Sequence, residues 1–273
     1  MSTQNDFPRF DRALPALAAF IRDLTASIQT REIDTEGKAE RAIKEFFTQQ
    51  QLNNLAQVAP AWNDLLEYEG ARTLCHVVTA LASLPYYPEY NEASQVQQTI
   101  IAWALLYHDI AKRSKHAKDH GHAFRSAVAA ARSLPLIGVD LPESYHSGID
   151  GWSELTLAAI GDGTTDGNHV DNRTLPHILE QLDAMLAQDS ASSRIVKIIL
   201  FHHSITTVTD WPQPNPLSDT EILQYFDSEL LHLMRIMLLA DSDGWELFHA
   251  STCHAYRLET RGVFDRLRQA IAP

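Results

Sequence analysis

Apolar residues along this chain recur with helical spacing, and no segment shows the strict alternation of a half-buried strand. Between Arg9 and Thr30, the residues Leu14, Leu17, Phe20, Ile21 and Leu24 fall on one side, with Pro15 tolerated in the first turn. Ile33 to Leu55 predicts a second helix with Ala42, Ile43, Phe46 and Phe47 on its apolar face. Trp62 to Tyr68 predicts a short helix, and Ala71 to Leu84 a longer one that Pro85 and Pro88 end. Gln95 to Lys112 is apolar on nearly every side before it reaches His108, Asp109 and Lys112, so its first part belongs in a core. His122 to Ser133 is alanine-rich and helical up to Pro135.

Leu136 to Pro176 is the least regular region, with Gly138, Gly148, Gly151, Gly161, Gly163 and Gly167. It is expected to hold one short helix, Trp152 to Ala159, and to be either a functional loop or an insertion. Helices follow over Leu175 to Ala187 and Ser192 to His203, then a proline-containing loop from Ile205 to Leu217. Ser218 with Glu221 forms a capping box that starts the next helix. Leu230 to Leu239 is apolar almost throughout and runs into Asp241-Ser242-Asp243-Gly244, and Gly262 is expected to set off a short final helix. Helices without strands predict an all-α fold, one compact multi-helix bundle. Residues 1–67 are expected to form an N-terminal helical extension packed on a main domain, 68–273.

Composition adds exclusions. With 273 residues, 45% apolar and 21% charged, the chain can bury a sizeable core. A formal net charge of −13 argues against a general nucleic-acid binder or a protein drawn to anionic membranes. It leaves room for a small anionic substrate held by a local basic cluster. Cys75 and Cys253 fit no zinc-finger or CxxC spacing and read as reduced thiols. Met1 to Asp6 is polar, without the apolar core of a signal peptide, and no apolar run approaches a membrane span. The expectation is a soluble, cytoplasmic protein.

The candidate chemistry lies where apolar helices carry His or Asp against their pattern: His76, then His108-Asp109, then His202-His203, then Asp241, with His122 opening the alanine-rich helix. An imidazole or carboxylate at the end of a buried helix is costly unless something pairs with it. Helical bundles build metal sites from such inward-facing ligands. Nitrogen and oxygen donors without thiolate suit iron, manganese, magnesium, nickel or zinc, one ion or two. Each residue also has a structural reading. A lone histidine is more often a satisfied core residue, and Asp241 could form a turn, with Asp243 as its local rival. His116 and His120 compete with His122.

Spaced His76, His108-Asp109 and Asp241 resemble the H…HD…D signature of the HD superfamily of metal-dependent phosphohydrolases. Leu105-Leu106-Tyr107-His108-Asp109-Ile110-Ala111-Lys112 is similar to that family's central hydrophobic-HDxxK segment. Leu74-Cys75-His76-Val77-Val78 and Leu238-Leu239-Ala240-Asp241-Ser242 are similar to its outer segments. The likeness covers roughly Tyr68 to Glu246, and His122 with His202-His203 resembles the extra histidines of the binuclear members. The resemblance implies a hydrolase that cleaves a phosphoester of a small phosphorylated metabolite, a nucleotide foremost, with Asp109 bridging two metals. Its alternatives are a diiron oxygenase of the same type and a non-catalytic binding or signalling module. Lys112 lies one helical turn beyond Asp109 and is expected to take part in catalysis and to meet a substrate phosphate. Arg113 extends this basic cluster with Lys115, His116 and Lys118. Asp162, Asp166 and His169 read as turn residues, and His249 and His254 as structural.

Overall fold

The architecture comes from a computed structural model, which describes residues 7–113, 119–161, 170–207 and 213–271. Lys115, His116, Lys118, Asp162, Asp166 and His169 lie outside those residues. The order of α-helices is α1 (Phe10–Ala13), α2 (Pro15–Gln29), α3 (Glu36–Phe46), α4 (Gln49–Val58), α5 (Ala61–Glu69), α6 (Arg72–Ser83), α7 (Pro88–Asn91), α8 (Gln95–Tyr107), α9 (His122–Ser133), α10 (Glu143–Ala158), α11 (Leu175–Leu186), α12 (Ala191–Phe201), α13 (Asp219–Tyr225), α14 (Ser228–Glu246) and α15 (Ala250–Ile271). The described residues contain no strand; Ile160 and Val170 form an isolated antiparallel bridge. No described helix is long and apolar enough to cross a membrane.

Three helices make the centre. Thr73 to Ser83 in α6, Thr99 to Tyr107 in α8 and Ser192 to Phe201 in α12 are buried without a break. Polar starts set where two of them begin. Ser94 and Gln97 close a capping box on α8, and Ser190 Oγ accepts from the Ser193 amide at 3.1 Å on α12. α14 packs along α6 and α15, and α12 packs along α8 and α9. The amino-terminal helices are tied to this centre by side-chain donors. Thr25 Oγ1 donates to Ala82 O (2.9 Å), Trp103 Nε1 to Pro8 O (2.9 Å) and Tyr107 OH to Val58 O (2.7 Å). One apolar cluster runs from Phe10 to Leu267.

Besides the end of α8 at Tyr107 rather than Lys112, the structure departs from the expected elements in four places. The helix expected from Arg9 breaks at Leu14, and Pro15 starts α2. The one expected over Ile33 to Leu55 breaks at Phe47, where Thr48 caps α4. The glycine-rich region holds a sixteen-residue helix, α10. Glycine in a helix costs about 1 kcal/mol relative to alanine, but α10 buries Tyr145, Ile149, Trp152 and Thr156 along one face. Tyr145 OH donates to Ala131 O (2.9 Å) and Trp152 Nε1 to Ile178 O (3.0 Å), so the whole helix is anchored. Finally, α15 runs unbroken through Gly262, held by buried Cys253, Thr260, Phe264 and Leu267.

Candidate metal centre

His76 projects from the middle of buried α6. α8 ends at Tyr107, so His108 is its C-cap and Asp109 sits in the turn that follows. His122 is the first residue of α9, His202 is the C-cap of α12 with His203 next, and Asp241 lies inside α14. Five separate elements thus deliver side chains to one place.

Two groups form there among the described residues: His76, His108 and Asp241 in one, and His122, His202 and His203 in the other. In the first, Asp241 Oδ1 stands 2.9 Å from His76 Nε2 and 3.1 Å from His108 Nε2, and the two imidazole nitrogens are 3.3 Å apart. In the second, His122 Nε2 and His202 Nε2 are 3.1 Å apart, and the His203 ring packs on both at centroid distances of 4.3 Å. Asp109 lies between them. Its Oδ1 is 2.9 Å from His122 Nε2 and 3.8 Å from His202 Nε2; its Oδ2 is 3.8 Å from both His76 Nε2 and His108 Nε2. Lys112 Nζ also reaches Oδ2, at 2.8 Å.

The tautomers of three of these rings follow from their neighbours. His108 Nδ1 faces Leu105 O (2.8 Å), His122 Nδ1 faces Asp119 O (2.6 Å) and His202 Nδ1 faces Ile199 O (2.6 Å). A carbonyl can only accept, so each Nδ1 carries a hydrogen, and in the neutral ring, the form that binds a metal, Nε2 turns its lone pair inward. Leu105 and Ile199 belong to the last turns of α8 and α12, where helix carbonyls lack intrahelical partners. The rings therefore take up acceptors that the helix ends leave open, an arrangement that also orients histidine ligands. His76 and His203 differ: the Nδ1 of each is buried and has no hydrogen-bond partner among the described residues. His76 is held instead by stacking on Trp245, 4.2 Å away and 13° from parallel.

The electrostatics ask for positive charge. Burial opposes ionisation of Asp109, yet Lys112, His108 and His122 outweigh it and hold this carboxyl well below the usual range. Burial likewise opposes a charge on Asp241, and His108 and His76 overcome it. Burial alone would depress His108, but Asp109 and Asp241 raise it to about 9. His202, buried and facing His122 and His108, is pushed down to about 3, and burial beside His202 and His122 holds His203 well below its ordinary value. Inward lone pairs, two carboxylates and no thiolate fit a divalent cation of the kind bound by nitrogen and oxygen. Buried His and Asp groups here could hold a metal ion. Solvent reaches the centre on the side of Asp241 and Lys112, whose side chains are 22% and 24% exposed, while those of His76, His108 and His202 are 0% exposed.

The remaining sequence candidates separate by position. Asp243 does not compete with Asp241. It is buried in a different network, where Cys253 Sγ donates to its Oδ1 (2.6 Å) and Tyr87 OH and the Arg257 guanidinium donate to its Oδ2. His120 belongs to neither histidine group, and its carbonyl accepts from Asn215 Nδ2 at 2.7 Å. Arg113 is exposed, and the turn uses its amide, which donates to Asp119 Oδ2 at 2.7 Å. Asp119, with no special sequence context, is thereby important: its carboxylate also takes Arg125 and its carbonyl orients His122. Ser126 Oγ accepts from the Ala111 amide at 3.2 Å, so α9 fixes the turn that carries Asp109. Trp245 and Arg72 also escaped the sequence reading; the Arg72 guanidinium lies 5.3 Å and Lys112 Nζ 5.8 Å from the indole centroid.

Compared with known proteins, the chain matches no family model, no curated protein and no solved structure.

Proposed function

We propose that this chain is a metal-dependent phosphohydrolase that cleaves a phosphoester of a small phosphorylated metabolite, such as a nucleotide, as its resemblance to the HD superfamily implies. The observation that carries the reading is the division of Asp109, one oxygen toward His122 and His202 and the other toward His76 and His108. A carboxylate placed in this way suits two cations held side by side. His76, His108 and Asp241 would hold one, His122, His202 and His203 the other. When bound, a divalent ion supplies Lewis acidity and lowers the pKa of its water from about 15.7 to roughly 7.

The chain's own residues supply the rest. The Nδ1 hydrogen bonds of His108, His122 and His202 keep their lone pairs fixed on the centre before any substrate arrives. Asp109 orients an attacking water from its partly committed carboxylate. Lys112, on the solvent side, is placed to take a phosphoryl oxygen by exchanging its contact with Asp109. Trp245 covers one face of His76 and keeps water from it.

The test is metal analysis of the purified chain together with hydrolysis of phosphomonoesters and phosphodiesters, with and without His108→Ala. The expected result is bound non-redox divalent metal and a hydrolysis rate that His108→Ala abolishes. Redox-active iron with oxygen uptake would overturn the reading in favour of an HD-type oxygenase. Metal content and activity both indifferent to His108→Ala would leave a binding or signalling module.

A further inference from the structure

Beside the centre, α5, α9 and α10 border a groove of about 590 Å³. That volume falls within the range of small-molecule sites, roughly 300–1,000 Å³. Its floor is the turn that carries the His108-Asp109 pair onward, Ile110, Ala111 and Lys112. Its walls are apolar: Leu65 and Tyr68 from α5, Val128 and Ala129 from α9, and Leu157 from α10. Tyr68 and Leu157 are 44% and 41% exposed, two of the five large hydrophobic side chains left open to solvent among the described residues. Both face the same groove, whereas scattered single exposed hydrophobes would need no explanation.

The charge at the groove is lopsided. Lys112, Arg113 and Arg125 line it against a single acid, Asp64. Arg125 is committed to Asp119 and Ala111 O, and Lys112 pairs with Asp109, so at the end nearest Asp109 an anion would meet Lys112 by exchange of that contact, with the exposed Arg113 beside it. An anionic head beside Lys112 would have its organic body over Tyr68 and Leu157. We propose that this groove is the subsite for the organic group of the substrate, and that this group is apolar or aromatic rather than a bare polyol. The proposal rests on the phosphohydrolase reading for the position of the phosphate.

The experiment compares 1-naphthyl phosphate with glycerol 3-phosphate on the full chain. Both are tested as substrates of the manganese-loaded protein. Both are also tested as ligands of chelator-treated protein, with naphthyl phosphate followed by its own fluorescence polarisation and glycerol 3-phosphate by competition. The wild type is expected to favour the naphthyl ester by at least about tenfold, the scale set by burying part of one aromatic ring. Tyr68→Ala combined with Leu157→Ser should lower that preference about tenfold through KM, and weaken metal-free binding of the naphthyl ester to match. Ala129→Phe, which fills the groove instead of stripping its wall, should shift both measurements the same way. Leu258→Ser, removing an exposed leucine of α15 outside the groove, should leave them unchanged. Equal use and binding of both esters by the wild type, or a preference that ignores both groove variants, would overturn the proposal. Groove-dependent binding without hydrolysis of either ester would instead sink the hydrolase reading and leave the groove assignment standing.

Discussion

Nε2 of His122 stands 2.9 Å from Oδ1 of Asp109, and both side chains are buried. The Nδ1 hydrogen of His122 is already given to Asp119 O, so Nε2 faces Asp109 with a lone pair unless it takes up a second hydrogen. Two acceptors at that distance repel unless a cation or a proton lies between them. Asp109→Asn keeps the shape and supplies an amide donor to His122 while removing the charge. The variant is expected to fold, to bind fewer than one metal ion per chain, and to lose hydrolysis by roughly 10²–10³-fold. Elemental analysis beside circular dichroism checks this, and full metal content would count against a bridging role.

If the two histidine groups hold separate ions, they should empty separately. His76→Ala and His202→Ala each remove one ligand from one group. Each variant is expected to keep one ion per chain where the wild type keeps two. Loss of both ions in either variant, or of neither, would refute two independent sites.

Gly244 has a steric reason to be glycine. A Cβ there would lie 2.4 Å from His76 Nδ1 and 2.9 Å from His76 O, where α14 crosses α6. Gly244→Ala must push His76 and its helix aside, at a cost of about 1–3 kcal/mol. The melting temperature should fall by several degrees and metal affinity should fall with it, measured by differential scanning fluorimetry with and without added manganese.

The metal-free chain should show a stability maximum near neutral pH. His108 is raised to about 9, above its unfolded value, so its stabilisation is complete below about 6.5 and is lost as pH rises through about 9. His202 and His203 are depressed, so they favour the fold only while the unfolded chain leaves them neutral, and acid erodes that. Asp109 and Asp241, also depressed, add a further loss once the unfolded carboxyls begin to protonate. Melting temperature should therefore decline on both sides of neutrality after chelation. Bound metal should flatten the alkaline limb, because a coordinated His108 stays neutral. An alkaline limb of unchanged slope in the metal-loaded protein would contradict this.

The sequence carried the helical class and the ligand candidates because both are local. His122 to Ser133 reads as a helix with the bounds that α9 has, since small residues and Pro135 define it. The pairing of Asp241 with His76 was not readable against Asp243, because both follow the same apolar run. Two positions along a helix turn by about 200°, so the two carboxylates leave opposite sides of α14, and only packing says which side holds His76. Only the second half of α10, from Trp152, is legible in the sequence, because Gly148 and Gly151 look like breakers, and the burial of Trp152 that overrides them is a long-range fact. The break at Phe47 was missed for the opposite reason: apolar spacing continues on both sides, and one capping threonine is a weak signal. Trp245 and Arg72 meet Lys112 only in three dimensions.

The hydrogen bonds from His108 to Leu105 O and from His202 to Ile199 O exist because α8 and α12 stop where they do. One more turn of either helix would hand those carbonyls to backbone amides and set the rings adrift. Helix stability and ring alignment are thus opposed at these two termini. Substitutions that lengthen α8 or α12, the usual route to a sturdier helical protein, would be expected to raise thermal tolerance while blunting the centre. A search for hardier variants of this chain should therefore leave those two endings alone.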